Sequence, residues 1–170
     1  MYYLVSKKLQ KNLKKMNQIQ TIIAEIGSTH NGSISLAKKS IEVAAKSGAD
    51  AVKFQMHIPD EETLKNAPSP KYFTNESRYE YFKRTSFSFK QWKSIIYHCK
   101  INNVEFLCSP FSSKAVDILE KLQVKRYKIP SGEVTNLPML RKIAKTNKEV
   151  LLSTGMSNWR EIKSAVSIFK

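Results

Sequence analysis

Two lysines stand where lysine is costly. Lys53 lies inside AVKFQ and Lys128 inside RYKIP, both among apolar neighbours. An ammonium placed there needs an anion or a route to water. Hydroxyl residues recur at matching places: Ser109 after a run ending in Cys108, Ser131 after Ile129-Pro130, and Ser153 and Thr154 after Val150-Leu151-Leu152. Lysine is a compact point charge for phosphate, and serine or threonine hydroxyls hydrogen-bond its oxygens. Ser131-Gly132 and Thr154-Gly155 add turns where backbone N–H groups approach a ligand closely. The competing reading is plainer. A lone strand-end lysine snorkels to water, and a lone serine caps a helix.

Carboxylates complete the set. Glu25 ends the apolar run TIIAEI and suits an acid, a base or a metal ligand, or else a structural salt bridge with a nearby lysine. Glu133 follows Ser131-Gly132, and Gln55 follows Lys53 by two residues. His30, beside Asn31 and Gly32, binds substrate or caps its turn. His57 and His98 carry less information, and the three histidines have no metal-ligand spacing. Cys108 reads as a small core residue rather than a reactive thiol.

These residues share one rim if the chain alternates strands with helices. Strands are expected over residues 21–26, 49–55, 104–109, 125–130 and 149–153. Helices are expected over 34–47, 88–103, 113–122, 137–146 and from 158 to the end. Ile34, Ala37, Ile41 and Ala44 have helical spacing, with Gly48 at the stop. Ser88 and Gln91 have the form of a capping box, and Pro138 falls in a first turn. Residues 56–87, with Pro59, Pro68 and Pro70, read as a long irregular insert. Five consecutive βα units imply an α/β fold with a parallel sheet. In such sheets function sits at the C-terminal strand ends. Lys53, Lys128, Ser131 and Ser153 are therefore expected to converge on one anion site.

Composition narrows the classes. The 170 residues carry 29 Lys+Arg against 14 Asp+Glu, a formal charge of +15, with 41% hydrophobic residues. Five lysines and no acid lie within residues 1–20. That basic segment, residues 1–18, reads as an extension, of which residues 1–15 are expected to stand apart from the folded part. The remaining charge is scattered, and no nucleic-acid-binding module surrounds it. No apolar run approaches the ~18 residues of a membrane span, and the N-terminus is not ordered like a secretory signal. Two cysteines make no disulfide scaffold, so a cytoplasmic location is expected. The first βα turn, GSTHNG, lacks the dinucleotide fingerprint, and no P-loop is present.

Five ordered segments carry a family resemblance: AEIGSTHNG (24–32), GADAVKFQ (48–55), EFLCSPFS (105–112), YKIPSGEVTNLPML (127–140) and LLSTGM (151–156). Together they resemble the sialic acid synthases, including N-acetylneuraminate, legionaminate and pseudaminate synthases and spore-coat polysaccharide synthases. The resemblance implies a TIM (β/α)8 barrel, of which about five units are present over residues 19–170. It implies condensation of phosphoenolpyruvate with an N-acetylated amino sugar of the N-acetylmannosamine type, giving a nine-carbon 2-keto sugar acid and phosphate. Lys53, Ser109, Lys128, Ser131 and Ser153 correspond to phosphoenolpyruvate ligands. Glu25 and Gln55 correspond to sugar-side residues, with His30 beside them. Glu25 is the implied proton-transfer group, and Glu133 the acid that handles water. A divalent metal, manganese or magnesium, and a homodimer are implied for the full-length family. The metal's histidine ligands belong to later strands, and those strands and the antifreeze-like domain are absent from this chain. The chain is thus expected to be a fragment that does not catalyse the condensation alone. A non-catalytic module that binds a phosphate and a sugar is the alternative.

Overall fold

The computed structural model describes residues 21–68 and 76–170. The 1–18 extension and Pro70 lie outside them. The described chain is α/β, with five strands. These are β1 (Ile23–Gly27), β2 (Ala51–Met56), β3 (Glu105–Pro110), β4 (Arg126–Ile129) and β5 (Glu149–Leu152). The helices are α1 (Ile34–Lys46), α2 (Pro59–Glu62), α3 (Arg78–Thr85), α4 (Phe89–Ile101), α5 (Ser113–Lys121), α6 (Leu137–Ala144) and α7 (Trp159–Ser167), with a 3-10 turn at Ser131–Glu133. Each expected strand and helix is present. The single sheet expected from the alternation is instead two, ordered β1-β2-β3 and β4-β5. None of the helices is long and apolar enough to cross a membrane, among the described residues.

The chain divides into two compact units. The first holds residues up to Phe54 together with Phe87–Phe106. Here β1 runs parallel to β2, with Glu25 opposite Lys53. The register slips between Glu25 and Gly27, and Gly27 adopts a φ of 56° that glycine tolerates without a Cβ clash. Ile41 and Ala37 of α1 and Trp92, Ile95 and Cys99 of α4 are buried here. The two helices pack together, tied by His98 Nε2 to Glu42 Oε1 at 3.2 Å. Phe54, Phe87, Trp92 and Phe106 form an aromatic cluster, mostly edge to face, the arrangement ring quadrupoles favour.

The second unit holds Gln55–Ser86 and Leu107–Lys170. β4 pairs in parallel with β5, and α5 packs on α6 through its amphipathic face, where Val116 and Leu119 are buried. The segment read as an irregular insert contains α2 and α3. Pro59 starts α2, where its missing N–H costs nothing, and the Ser77 side chain accepts from Glu80 N at the head of α3. Tyr79 of α3 donates to Asp60 of α2 at 2.6 Å, and the Ser86 hydroxyl donates to the His57 carbonyl at 3.0 Å. The proline count suggested a loop. Local caps and these two ties override it.

Candidate functional site

In the first unit the β1/β2 register brings Glu25 and Lys53 together. Lys53 Nζ lies 2.8 Å from Glu25 Oε2, with the lysine side chain buried and the glutamate 43% exposed. A buried ammonium is tolerable when a carboxylate meets it, and here one does. The salt-bridge reading of Glu25 is the one the structure displays. The exposed carboxylate keeps access to solvent and to a ligand.

His30 sits past the end of β1 and is 2% exposed. Its Nδ1 accepts from Gly32 N at 3.1 Å, and its ring lies against Phe87 and Phe54. Burial without a compensating anion lowers its pKa to about 4. The turn cap that the sequence offers for it is formed. Asn31 and Gly32 follow with φ of 50° and 81°, the left-handed pair that turn requires.

In the second unit Lys128, on β4, donates to Ile129 O at 3.1 Å and to the Ser153 hydroxyl just past β5. Ser153 N in turn donates to Ile129 O at 3.0 Å, so the ladder that pairs β4 with β5 also sets this contact. Neutral oxygens satisfy ammonium donors without cancelling the charge. Ser131 opens the 3-10 turn after Pro130, and Gly132 beside it has nothing within 4 Å of a would-be Cβ. Ser109 is fully buried in β3.

Glu133 closes that 3-10 turn. Asn136 Nδ2 donates to its Oε2 at 2.8 Å, while Asn136 Oδ1 accepts from Met139 N and caps α6. One amide therefore both starts a helix and fixes the carboxyl. Burial raises the Glu133 pKa, the charge of Glu62 adds to the rise, and Arg78 opposes it. A carboxyl whose pKa is raised is a stronger base than an ordinary one.

Sequence reasoning missed His57 and Glu62. His57 is 8% exposed, between Phe82 at 3.8 Å and Phe111 at 4.0 Å, centroid to centroid. Its Nδ1 meets Glu62 Oε1 at 2.7 Å, and its Nε2 faces Gln55 Oε1 at 3.5 Å. The available signal was the two-residue step from Gln55 to His57, which puts both on one side of extended chain. The two lysines fall in different units, Lys53 in the first and Lys128 in the second. Among the described residues no group of three or more His, Cys, Asp or Glu side chains could hold a metal ion. They do not supply a ligand set for the implied divalent ion, and no chemical step is assigned to one.

Residues 40–170 match the NeuB family. The chain belongs to that family. An N,N'-diacetyllegionaminic acid synthase of Campylobacter jejuni is 47% identical over 152 residues, covering 86% of this NeuB chain and 46% of the relative. A pseudaminic acid synthase of Helicobacter pylori is 32% identical and is covered to 46%. Among solved structures, an N-acetylneuraminic acid (sialic acid) synthetase from Leptospira borgpetersenii, in complex with citrate, superposes with a TM-score of 0.77 at 29% identity, covering 90% of this chain and 50% of that one. The NeuB chain spans about half the length of the curated relatives it matches.

Proposed function

We propose that this NeuB chain carries the phosphoenolpyruvate-binding part of a sialic-acid-type synthase, on the first βα units of a TIM barrel. The reaction is condensation of phosphoenolpyruvate with an N-acetylated amino sugar of the N-acetylmannosamine type. The enol carbon C3 forms a bond to the sugar aldehyde carbon, water adds at C2, and the C2–O bond to phosphate breaks. The products are a nine-carbon 2-keto sugar acid and phosphate.

The contact of Lys128 with Ser153, at the C-terminal ends of paired parallel strands, is the observation that best supports this reading. It joins a cation to a hydroxyl where α/β folds bind ligands. In the proposal Lys128, Ser153, Ser131 and Ser109 bind the phosphate and carboxylate of phosphoenolpyruvate. Glu25, ion-paired and exposed, stabilises the positive charge that develops at C2 and moves a proton on the sugar side. Glu133, raised in pKa, takes the proton of the attacking water and returns it later.

Titration calorimetry with phosphoenolpyruvate tests this. Lys128→Ala is expected to weaken binding at least about tenfold, the loss of a charge-assisted contact. Unchanged affinity overturns the reading. Supplying N-acetylmannosamine and manganese and measuring phosphate release then separates a synthase from a module that only binds.

A further inference from the structure

The first unit carries a surface that the proposed chemistry leaves unused. Helices α1 and α4 pack together there. Helix α1 buries Ala37, Ile41 and Ala44, and α4 buries Trp92, Ile95 and Cys99. The stripe of each helix opposite its buried side faces solvent. On α1 it runs through Leu36, Lys39, Val43 and Lys46. On α4 it runs through Phe89, Lys93, Tyr97 and Lys100, with Ile101 beside the last. Steps of three and four residues keep each set on one line of its helix. Leu36, Val43, Tyr97 and Ile101 are each more than half exposed, and Phe89 is 41% exposed. Apolar residues scattered singly over a surface are ordinary, whereas these alternate with lysine along two neighbouring helices. Neither stripe holds an acid. Glu42, the one carboxylate of the two helices, is engaged at both oxygens. Its Oε1 meets His98 Nε2 at 3.2 Å, and its Oε2 accepts from Lys39 Nζ at 3.3 Å. Lys93 Nζ rests over the Phe89 ring, 5.1 Å from its centroid.

We propose that this α1–α4 face is a docking surface for a bilayer that carries anionic lipid headgroups. A lysine stem lies along apolar material while its ammonium reaches a headgroup phosphate or carboxylate, so both residue types of each stripe are used at one depth. Tyrosine and phenylalanine suit the same level, with the ring in apolar surroundings and the tyrosine hydroxyl in water. Each lysine held near an anionic surface adds to binding, and the two helices hold four of them together. Other occupants match less well. A second copy of the chain would set lysine against lysine across the interface. A nucleic acid would answer the charge, but Leu36, Val43 and Ile101 give a base nothing to stack on. The same mixture of lysine and apolar residues, again without an acid, recurs in residues 1–20 of the sequence. The proposal is independent of phosphoenolpyruvate binding.

Vesicle sedimentation with the 170-residue chain tests it. The probes are vesicles of phosphatidylcholine alone and of phosphatidylcholine mixed with phosphatidylserine. The chain should bind the mixed vesicles at least about tenfold more tightly than the neutral ones. Reversing two charges of the face, Lys93→Glu with Lys100→Glu, should weaken binding to mixed vesicles at least about tenfold. Removing apolar contact, Tyr97→Ser with Ile101→Ser, should weaken it about fivefold. The control is Lys145→Glu with Lys163→Glu, which makes the same change in net charge at exposed positions of the second unit. It should stay within about twofold of wild type. All six positions are exposed, so the variants keep the core intact. An equal loss in the control means that net charge and not this face binds lipid, and overturns the proposal. So does a serine variant that binds like wild type, which leaves only a cationic patch. Equal binding to both kinds of vesicle, or binding to neither, overturns it as well. Duplex DNA bound more tightly than the mixed vesicles, and lost in the Lys93→Glu, Lys100→Glu chain, would assign the face to nucleic acid instead.

Discussion

His30 and His57 are both buried against phenylalanine rings, one in each unit, yet they are built for opposite uses. The His30 ring nitrogen accepts from a backbone N–H, and burial drives its pKa to about 4, so the ring is neutral. The His57 ring nitrogens face a carboxylate oxygen and an amide oxygen. Burial alone therefore does not decide what a histidine does. The atoms opposite its nitrogens do, and they make His30 a turn-former and His57 the partner of a buried carboxylate.

That contrast breaks most sharply at His57. His57→Leu strips the buried Glu62 carboxylate of its imidazole partner, and should cost about 3–5 kcal/mol, read as a fall in melting temperature of roughly 10 °C. Adding Glu62→Leu to that variant should recover most of the loss. A double variant no better than the single one would mean the pair is not isolated.

The matching experiment at His30 is a pH series. Its pKa in the folded chain, about 4, lies below the ordinary 6.5, so the unfolded chain binds the proton first. Stability contributed by the neutral ring is full above pH 6.5 and drains away as pH falls toward 4, by up to about 3 kcal/mol. His30→Asn keeps an acceptor for Gly32 N but cannot titrate. Melting curves for it should be flatter between pH 6.5 and 4 than those of wild type. Parallel curves would show that the ring does not titrate as its burial dictates.

Smaller effects sharpen the picture elsewhere. Glu25→Ala leaves the buried Lys53 ammonium without its carboxylate and should cost about 1–2 kcal/mol in urea unfolding. Glu133→Gln should raise the melting temperature at pH 7 by roughly 2 °C, because burial penalises the charged carboxylate and solvent screens part of that penalty. The gain should vanish below the ordinary carboxylate range, where both states hold the proton.

The alternation of apolar runs with 3.6-period segments made every strand and most helices legible, and the strand-end positions of Lys53, Lys128 and Ser153 followed from it. The capping box at Ser88 was readable because side-chain caps are local chemistry, and the structure adds a second at Asn158. What escaped depends on partners far along the chain. His57 and Glu62 look like ordinary polar residues until Phe82 and Phe111 stack on the ring and the carboxylate meets its Nδ1. The division of five strands into two sheets was equally invisible, since an alternating pattern does not say which neighbours exchange hydrogen bonds. Helix α3 was hidden by the prolines before it, although Ser77 and Glu80 carry the spacing of a helix start.

The helix ends hold one more consequence. Helices α1, α4 and α5 finish in the same way. The residue three past the helix end donates back five positions, as in Ala49 N to Ala44 O, Val104 N to Cys99 O and Val124 N to Leu119 O. The residue between is left-handed each time, but only the first is glycine. Asn103 and Gln123 hold φ of 55° and 57° with full side chains, and Asn147, after α6, holds 54°. A side chain in that conformation costs about 1 kcal/mol relative to glycine, offset in part by glycine's looser unfolded chain. The fold thus runs with unspent reserve at three turns, each at the C-terminal end of a helix. Selection or an engineer can draw on that reserve to tolerate destabilising changes elsewhere in the chain.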